Sequence, residues 1–132
     1  MALDVGLKSD DGGDDPLDRG VVVSLPFAYY SFLMEYFARF TAQTGTGIDH
    51  YDDAYVSGDD LKVLEEQVVL ALAQAAQQPD VWDEWVGFET GPRRADLYEK
   101  IERRDLLAEL QTLRRLIQRA ASQDKVLMFF GD

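Results

Sequence analysis

The sequence contains no cysteine and a single histidine. Without cysteine there is no disulfide, no thiolate nucleophile and none of the common structural zinc sites. No apolar run approaches the ~18–20 residues that a membrane-spanning helix requires. The first eleven residues, MALDVGLKSDD, hold no basic region and no apolar stretch, so we expect no signal peptide. These absences favour a cytoplasmic protein that has no membrane partner.

Basic residues are also scarce. The chain has 13 lysines and arginines but 25 aspartates and glutamates, which gives a net charge of −12. Proteins that bind nucleic acid normally present a basic face, so we expect no nucleic-acid partner. The charge is uneven: residues 1–92 carry −14 and residues 93–132 carry +2. The basic part either packs beside acidic neighbours of its own chain or forms a second interaction surface. The acidity itself serves either solubility or the binding of a basic partner.

The length of 132 residues and the hydrophobic content of 46% predict one domain, 1–132, with a packed core. Residues 2–8 alternate between apolar and polar, which is typical of a half-buried strand, and residues 126–130, VLMFF, resemble a buried strand. Helical spacing of apolar residues occupies 25–43, 57–78 and 96–120. We therefore predict an α+β fold in which three main helices pack on a small sheet that includes the N- and C-terminal strands.

Several element boundaries can be predicted from local signals. Ser24 and Ser57 are candidate N-caps, and Asp60 would complete a pair resembling a capping box with Ser57. The composition of 9–20 predicts a loop before a short strand at 21–23, and 81–86 is ambiguous between helix and strand.

The third helical region should open near Asp96 and Glu99, with a kink or break near Arg104 and Asp105. Its apolar residues form a heptad seam that we expect to pack on the other helices of the same chain. The seam residues are Leu106, Leu110, Leu113, Ile117 and Ala120.

The only histidine, His50, lies beside three carboxylates, Asp49, Asp52 and Asp53. Such side chains can bind a divalent metal, but no second histidine is available and neighbouring residues seldom converge on one ion. The sequence also has no glycine-rich phosphate loop and no recognisable nucleophile motif. We therefore expect no metal, no cofactor and no enzymatic activity, and keep a metal-dependent enzyme centred on His50 as an alternative.

Trp82 and Trp85 stand three residues apart among the acids Asp80, Asp83 and Glu84. Tryptophan is a frequent binding hot spot when exposed, although this pattern is more typical of a pair that closes the edge of the core. We predict a partner-binding surface in which acidic loops surround such an anchor. Its residues are Asp49, Asp52, Asp53, Asp80, Trp82, Asp83, Glu84 and Trp85, together with the acidic loop 10–18.

The run Tyr51–Glu65, YDDAYVSGDDLKVLE, resembles a segment of small acidic bacterial immunity proteins of polymorphic toxin systems. The resemblance covers about fifteen residues and identifies no functional residues. It implies a cytoplasmic inhibitor that neutralises a cognate toxin domain by docking on it, and the acidity of the chain would suit a basic one. Binding of a protein partner is thus the leading hypothesis, and a structural or regulatory homo-oligomer that uses the heptad seam is a further alternative.

Overall fold

The computed structural model describes residues 2–8 and 17–131, which form six strands and three helices. In chain order these are β1 (Ala2–Lys8), β2 (Leu17–Pro26), α1 (Phe27–Thr44), β3 (Ala54–Val56), α2 (Asp60–Ala76), β4 (Val81–Glu89), β5 (Ala95–Glu102), α3 (Arg103–Ser122) and β6 (Leu127–Phe130). One sheet has the strand order β2-β1-β6-β3, and β4 and β5 form a separate hairpin. All pairings are antiparallel. The predicted α+β class, with the first and last strands in one sheet, is confirmed.

The core lies between the four-stranded sheet and the helices. The alternation in β1 directs Leu3, Val5 and Leu7 to this side, where each is at most 3% exposed. α1 and α3 pack on β1 and β2, and α2 packs against both of these helices. The rings of Phe37 and Phe129, 5.8 Å apart, join α1 to β6. Burying each large side chain of this kind contributes about 1.5–3 kcal/mol.

The heptad seam of α3 belongs to this core. Its five residues are at most 1% exposed, and α2 is the principal neighbour of α3. The prediction that the seam packs within its own chain is confirmed. The seam is therefore unavailable as the interface of a homo-oligomer.

The first helix begins later than the sequence predicts. Leu25 is the last buried residue of β2 and pairs with Leu3, so the strand extends to Pro26 before α1 starts at Phe27. Ser24 does not cap the helix, because its hydroxyl donates to Asp4 Oδ1 across the β1–β2 pair at 3.0 Å. β2 also begins at Leu17 and not at residue 21, since its pairing with β1 continues beyond a bulge.

The predicted cap of α2 is also wrong. The helix follows Asp59 and has no side-chain capping hydrogen bond, so Ser57 and Asp60 form no capping box. Its first turn is closed by backbone bonds, from Leu61 to the carbonyl of Gly58 and from Lys62 to that of Asp59. Gly58 adopts φ +59, a conformation that glycine tolerates easily.

The third helical region differs most from expectation. Residues 95–102, which include Asp96 and Glu99, form β5, and the ambiguous segment 81–86 belongs to its partner β4. The predicted break occurs close to its expected position, because α3 begins at Arg103. Leu97 and Ile101 are four residues apart, a spacing that places them on one face of a helix and equally on one face of a strand.

Candidate functional site

The acidic segment 49–53 is held by hydrogen bonds of its own carboxylates. Asp49 Oδ1 accepts the backbone N–H of Tyr51 at 2.9 Å, and Asp53 Oδ1 accepts the N–H of Gly131 at 3.0 Å. A Cβ on Gly131 would lie 2.6 Å from the backbone N and O of Asp52, so only glycine permits this approach. All three aspartates are exposed; Asp49 closes a turn within the segment, and Asp53 fixes the segment to Gly131, just beyond β6.

His50 lies within a cage of aromatic rings and is 1% exposed. The ring centroids of Phe27, Tyr30 and Tyr51 are 5.1, 5.3 and 5.4 Å from that of the imidazole. Neither imidazole nitrogen has a hydrogen-bond partner among the described residues. Within residues 2–8 and 17–131, no group of three histidine, aspartate or glutamate side chains is arranged to hold a metal ion. The imidazole therefore faces aromatic carbon and not the neighbouring carboxylates.

The two tryptophans point to opposite faces of the β4–β5 hairpin. Trp82 pairs with Ile101, which is fully buried, and its ring lies 5.9 Å from that of Phe32 in α1. Trp85 pairs with Tyr98 on the other face and is 46% exposed. The prediction that a tryptophan pair closes the core edge thus holds for Trp82 alone, and Trp85 is the exposed member.

The side of the hairpin that faces away from α1 carries a group of exposed aromatic residues. We call it the outer hairpin face. A bulge between Trp85 and Gly87 shifts the alternation of β4 by one residue, so Phe88, which pairs with Asp96, lies on the same face as Trp85. Phe88 is 46% exposed and Tyr98 is 58% exposed. The outer hairpin face consists of Val81, Asp83, Trp85, Phe88, Asp96, Tyr98, Lys100 and Glu102.

Polar contacts fix two aromatic rings of the outer hairpin face. The indole Nε1 of Trp85 donates to Asp96 Oδ1 at 3.3 Å. The guanidinium carbon of Arg94 lies 4.1 Å from the centroid of the Phe88 ring, within the range of a cation–π contact. The face therefore presents positioned rings with charged groups at their edges.

The remaining acidic residues of the predicted site, Asp80, Asp83 and Glu84, lie in three different environments. Asp80 lies at the base of the hairpin, where its carboxylate accepts a hydrogen bond from Arg103, which also donates to the carbonyl of Gln78 at 2.8 Å. Asp83 is exposed on the outer hairpin face. Glu84 points inward and is half-buried.

Glu84 lines an open groove of about 580 Å³ between α1, α2 and the hairpin, together with Glu35 and Trp82. Burial raises the pKa of the Glu84 carboxyl, and the charge of Glu35 adds to this rise. A hydrogen bond from the backbone of Trp85 opposes it. The carboxylate is thus partly desolvated, and no ion pair to it is found within the described part of the chain.

The structure therefore groups the predicted site residues differently from the sequence. Asp83 and Trp85 share the outer hairpin face, Trp82 and Glu84 share the inner one, and the segment 49–53 packs near β6 and the start of α1. Of the predicted acidic loop 10–18, residues 10–16 lie outside the described residues, and residues 17 and 18 belong to β2. Tyr98 was not predicted as a site residue because 96–102 was assigned to a helix, and Phe88 was missed because the β4–β5 pairing that brings it to the same face was not expected.

No helix of residues 2–8 and 17–131 combines the length and the apolar character needed to cross a membrane. Comparisons with protein-family models, with curated proteins and with solved structures find no match to this chain.

Proposed function

We propose that this protein is a non-enzymatic protein-binding domain that docks through the outer hairpin face. The observation that supports it is the exposure of three aromatic side chains, Trp85, Phe88 and Tyr98, on one face of a single hairpin. Contiguous exposed apolar surface on a soluble protein is typical of an interaction site. Tryptophan and tyrosine are also enriched among the few residues that dominate binding energies.

The charge around these rings indicates the chemistry of the partner. Residues 81–102 contain six acidic and three basic residues, a net charge of −3 on a chain of net charge −12. Asp83 and Asp96 lie on the outer hairpin face itself. A basic protein surface would be attracted to this face, because complementary charge accelerates association and orients docking. Nucleic acid would be repelled.

The most concrete form of this proposal is a cytoplasmic immunity protein that neutralises a cognate toxin. It is supported by the resemblance of Tyr51–Glu65 to such proteins and by the acidity, since many toxin domains that act on nucleic acids or nucleotides are basic. The test is to co-express the chain with the product of the adjacent gene. Restored growth of cells that otherwise die supports an immunity protein, and continued death contradicts it for that pair.

Substitution of an anchor tests the docking face directly. Trp85→Ala should weaken binding to the purified partner by roughly 2–4 kcal/mol, mainly through faster dissociation, because it removes the tryptophan that the partner would bury in the complex. Surface plasmon resonance measures both rates. Tyr55→Ala is the matched control, since Tyr55 is an exposed aromatic residue of β3, and it should bind like the parent. If Trp85→Ala and Tyr98→Ala both dissociate at the parental rate, the docking face lies elsewhere.

A further inference from the structure

The β4–β5 hairpin is a two-stranded sheet, and within the described residues no third strand pairs with either of its edges. The two edges differ. β4 is interrupted by the bulge at Trp85/Gly87, where Gly87 adopts φ +142. β5 has no irregularity of its own, and every residue from Ala95 to Lys100 is exposed, whichever face it lies on. An accessible regular edge of this kind exposes unpaired N–H and C=O groups that can pair with another strand.

The sequence of β5 is complementary to itself around Tyr98. Asp96 lies two residues before Tyr98 and Lys100 two residues after it, and all three lie on the outer hairpin face. Antiparallel pairing of two β5 strands about a twofold axis at Tyr98 would place Asp96 of each copy opposite Lys100 of the other. Directly opposite residues of unlike charge stabilise an antiparallel pair.

Other registers lack this complementarity. An axis at Glu99 places Asp96 opposite Glu102, and an axis at Leu97 places Lys100 opposite Arg94, so each brings like charges together. If the axis passed between two residues, a residue of the outer face in one copy would lie opposite a residue of the inner face in the other, since side chains alternate along a strand. The outer faces of the two copies would then lie on opposite sides of the combined sheet. The register centred on Tyr98 is therefore the favoured one.

We propose that two copies of this chain pair through their β5 edges in this register. The result is a four-stranded sheet in the order β4-β5-β5-β4, with Trp85 and Tyr98 of both copies on one continuous face. A two-stranded hairpin is marginally stable by itself, and additional strands stabilise it. The dimer goes beyond the proposed function, because it would present the docking face twice to a partner.

The first experiment measures the mass of the purified full-length chain by sedimentation equilibrium over a range of concentrations. We expect a monomer of 14.9 kDa in equilibrium with a species of twice that mass. Asp96→Lys alone places lysine opposite lysine, and Lys100→Asp alone places aspartate opposite aspartate. Each should raise the dimer dissociation constant about tenfold or more, and the double variant should restore the parental value.

Asp96→Lys also removes the acceptor of the Trp85 hydrogen bond, and it does so in both the single and the double variant. Restored dimerisation of the double variant is therefore the decisive result, because it separates the effect of charge pairing from the loss of this hydrogen bond. Circular dichroism checks that each variant is folded. A monomeric mass at every concentration overturns the proposal. A double variant that dissociates as readily as the single variants overturns it as well.

Disulfide trapping tests the register independently, because the chain has no cysteine of its own. Tyr98→Cys would place two thiols opposite each other at the twofold axis, within the Cα separation of about 4.5–5.5 Å that a disulfide can span. Mild oxidation should therefore yield a covalent dimer. Phe88→Cys on β4 is the control and should form no covalent dimer, because the two β4 strands lie at opposite edges of the four-stranded sheet. Equal cross-linking of both variants overturns the register. These measurements need no partner, so their failure leaves the proposed function untouched.

Discussion

Glu84 illustrates how one side chain on the inner face of the hairpin costs stability. Its carboxyl is half-buried in the groove beside Trp82, and burial, with the charge of Glu35, raises its pKa above the usual 4.5. A raised pKa means that the folded protein holds this proton more tightly than the unfolded chain does. The stability that the protonated group contributes is complete below pH 4.5 and is lost as the pH rises through the folded pKa.

Glu84→Gln should therefore raise the melting temperature at pH 7 and leave it nearly unchanged below about pH 4. The amide keeps the shape of the side chain and removes the desolvated charge. Thermal unfolding followed by circular dichroism across this pH range provides the measurement. Glu89→Gln, at an exposed position of the same strand, should show no such gain. A melting temperature that falls at pH 7 would mean that the carboxylate forms a favourable interaction in the fold.

Gly131 provides a second test at the scale of a single residue. Gly131→Ala places a Cβ 2.6 Å from the backbone of Asp52, so the segment must move and the Asp53 hydrogen bond to the Gly131 N–H is strained. We expect a loss of about 1–3 kcal/mol in the free energy of unfolding, measured with urea. Gly47→Ala is the matched control, because an added Cβ there meets no atom within 4 Å. Equal effects of the two substitutions would contradict the close approach.

Among the secondary-structure elements, α3 is held against its neighbours by the burial of its heptad seam. Leu113 is completely buried between α3 and its neighbours. Leu113→Ala should cost roughly 2–5 kcal/mol of stability, because it removes buried methyl groups and leaves a cavity. Chemical denaturation measures the loss, and Gln111→Ala, exposed on the same helix, should change little. If Leu113→Ala instead lowers the mass of the protein in solution and preserves its stability, the seam is an interface between chains.

At the scale of the whole molecule, the uneven charge is partly balanced within the chain. Arg103 bonds Asp80, and Arg114 reaches Glu65 of α2 at 3.5 Å, so part of the basic region packs beside acids of its own chain as one of the two interpretations expected. Such exposed or half-exposed pairs contribute little stability. The net charge of −12 remains, and its effect is expected mainly on association.

Replacing Asp83 and Asp96 together by asparagine should slow association with a basic partner and flatten its dependence on salt, with little change in dissociation. Asparagine keeps an acceptor for the Trp85 indole. The triple replacement of Asp49, Asp52 and Asp53 by asparagine is the comparison, and it should have the smaller effect if docking uses the hairpin, because screening acts over about 8 Å. If the association rate changes neither with salt concentration nor with either set of substitutions, the acidity serves solubility and not binding.

Local sequence patterns were sufficient to predict the elements whose periodicity is unambiguous. The alternation of β1, the apolar run of β6 and the helical spacing of α2 and of the seam predicted strands and helices that the structure contains, because burial on one face imposes a period on the chain. The same patterns predicted the α+β class and the shared sheet of the first and last strands. They also identified Trp82 and Trp85 as candidates, without indicating which of them is exposed.

The β4–β5 hairpin could not be predicted from local patterns, because it depends on pairing between its two strands. Leu97 and Ile101 satisfy the period of a helix and that of a strand, so local sequence cannot distinguish the two. Pairing with β4 over eight residues, and the contact of Trp82 with Phe32, stabilise the strand. Only this pairing brings Phe88 and Tyr98 to the same face as Trp85. The hydrogen bonds between strands join residues that are distant in the chain, and local sequence patterns do not predict them. The candidate docking surface is thus a property of the fold, and the charge that surrounds it is a property of the sequence.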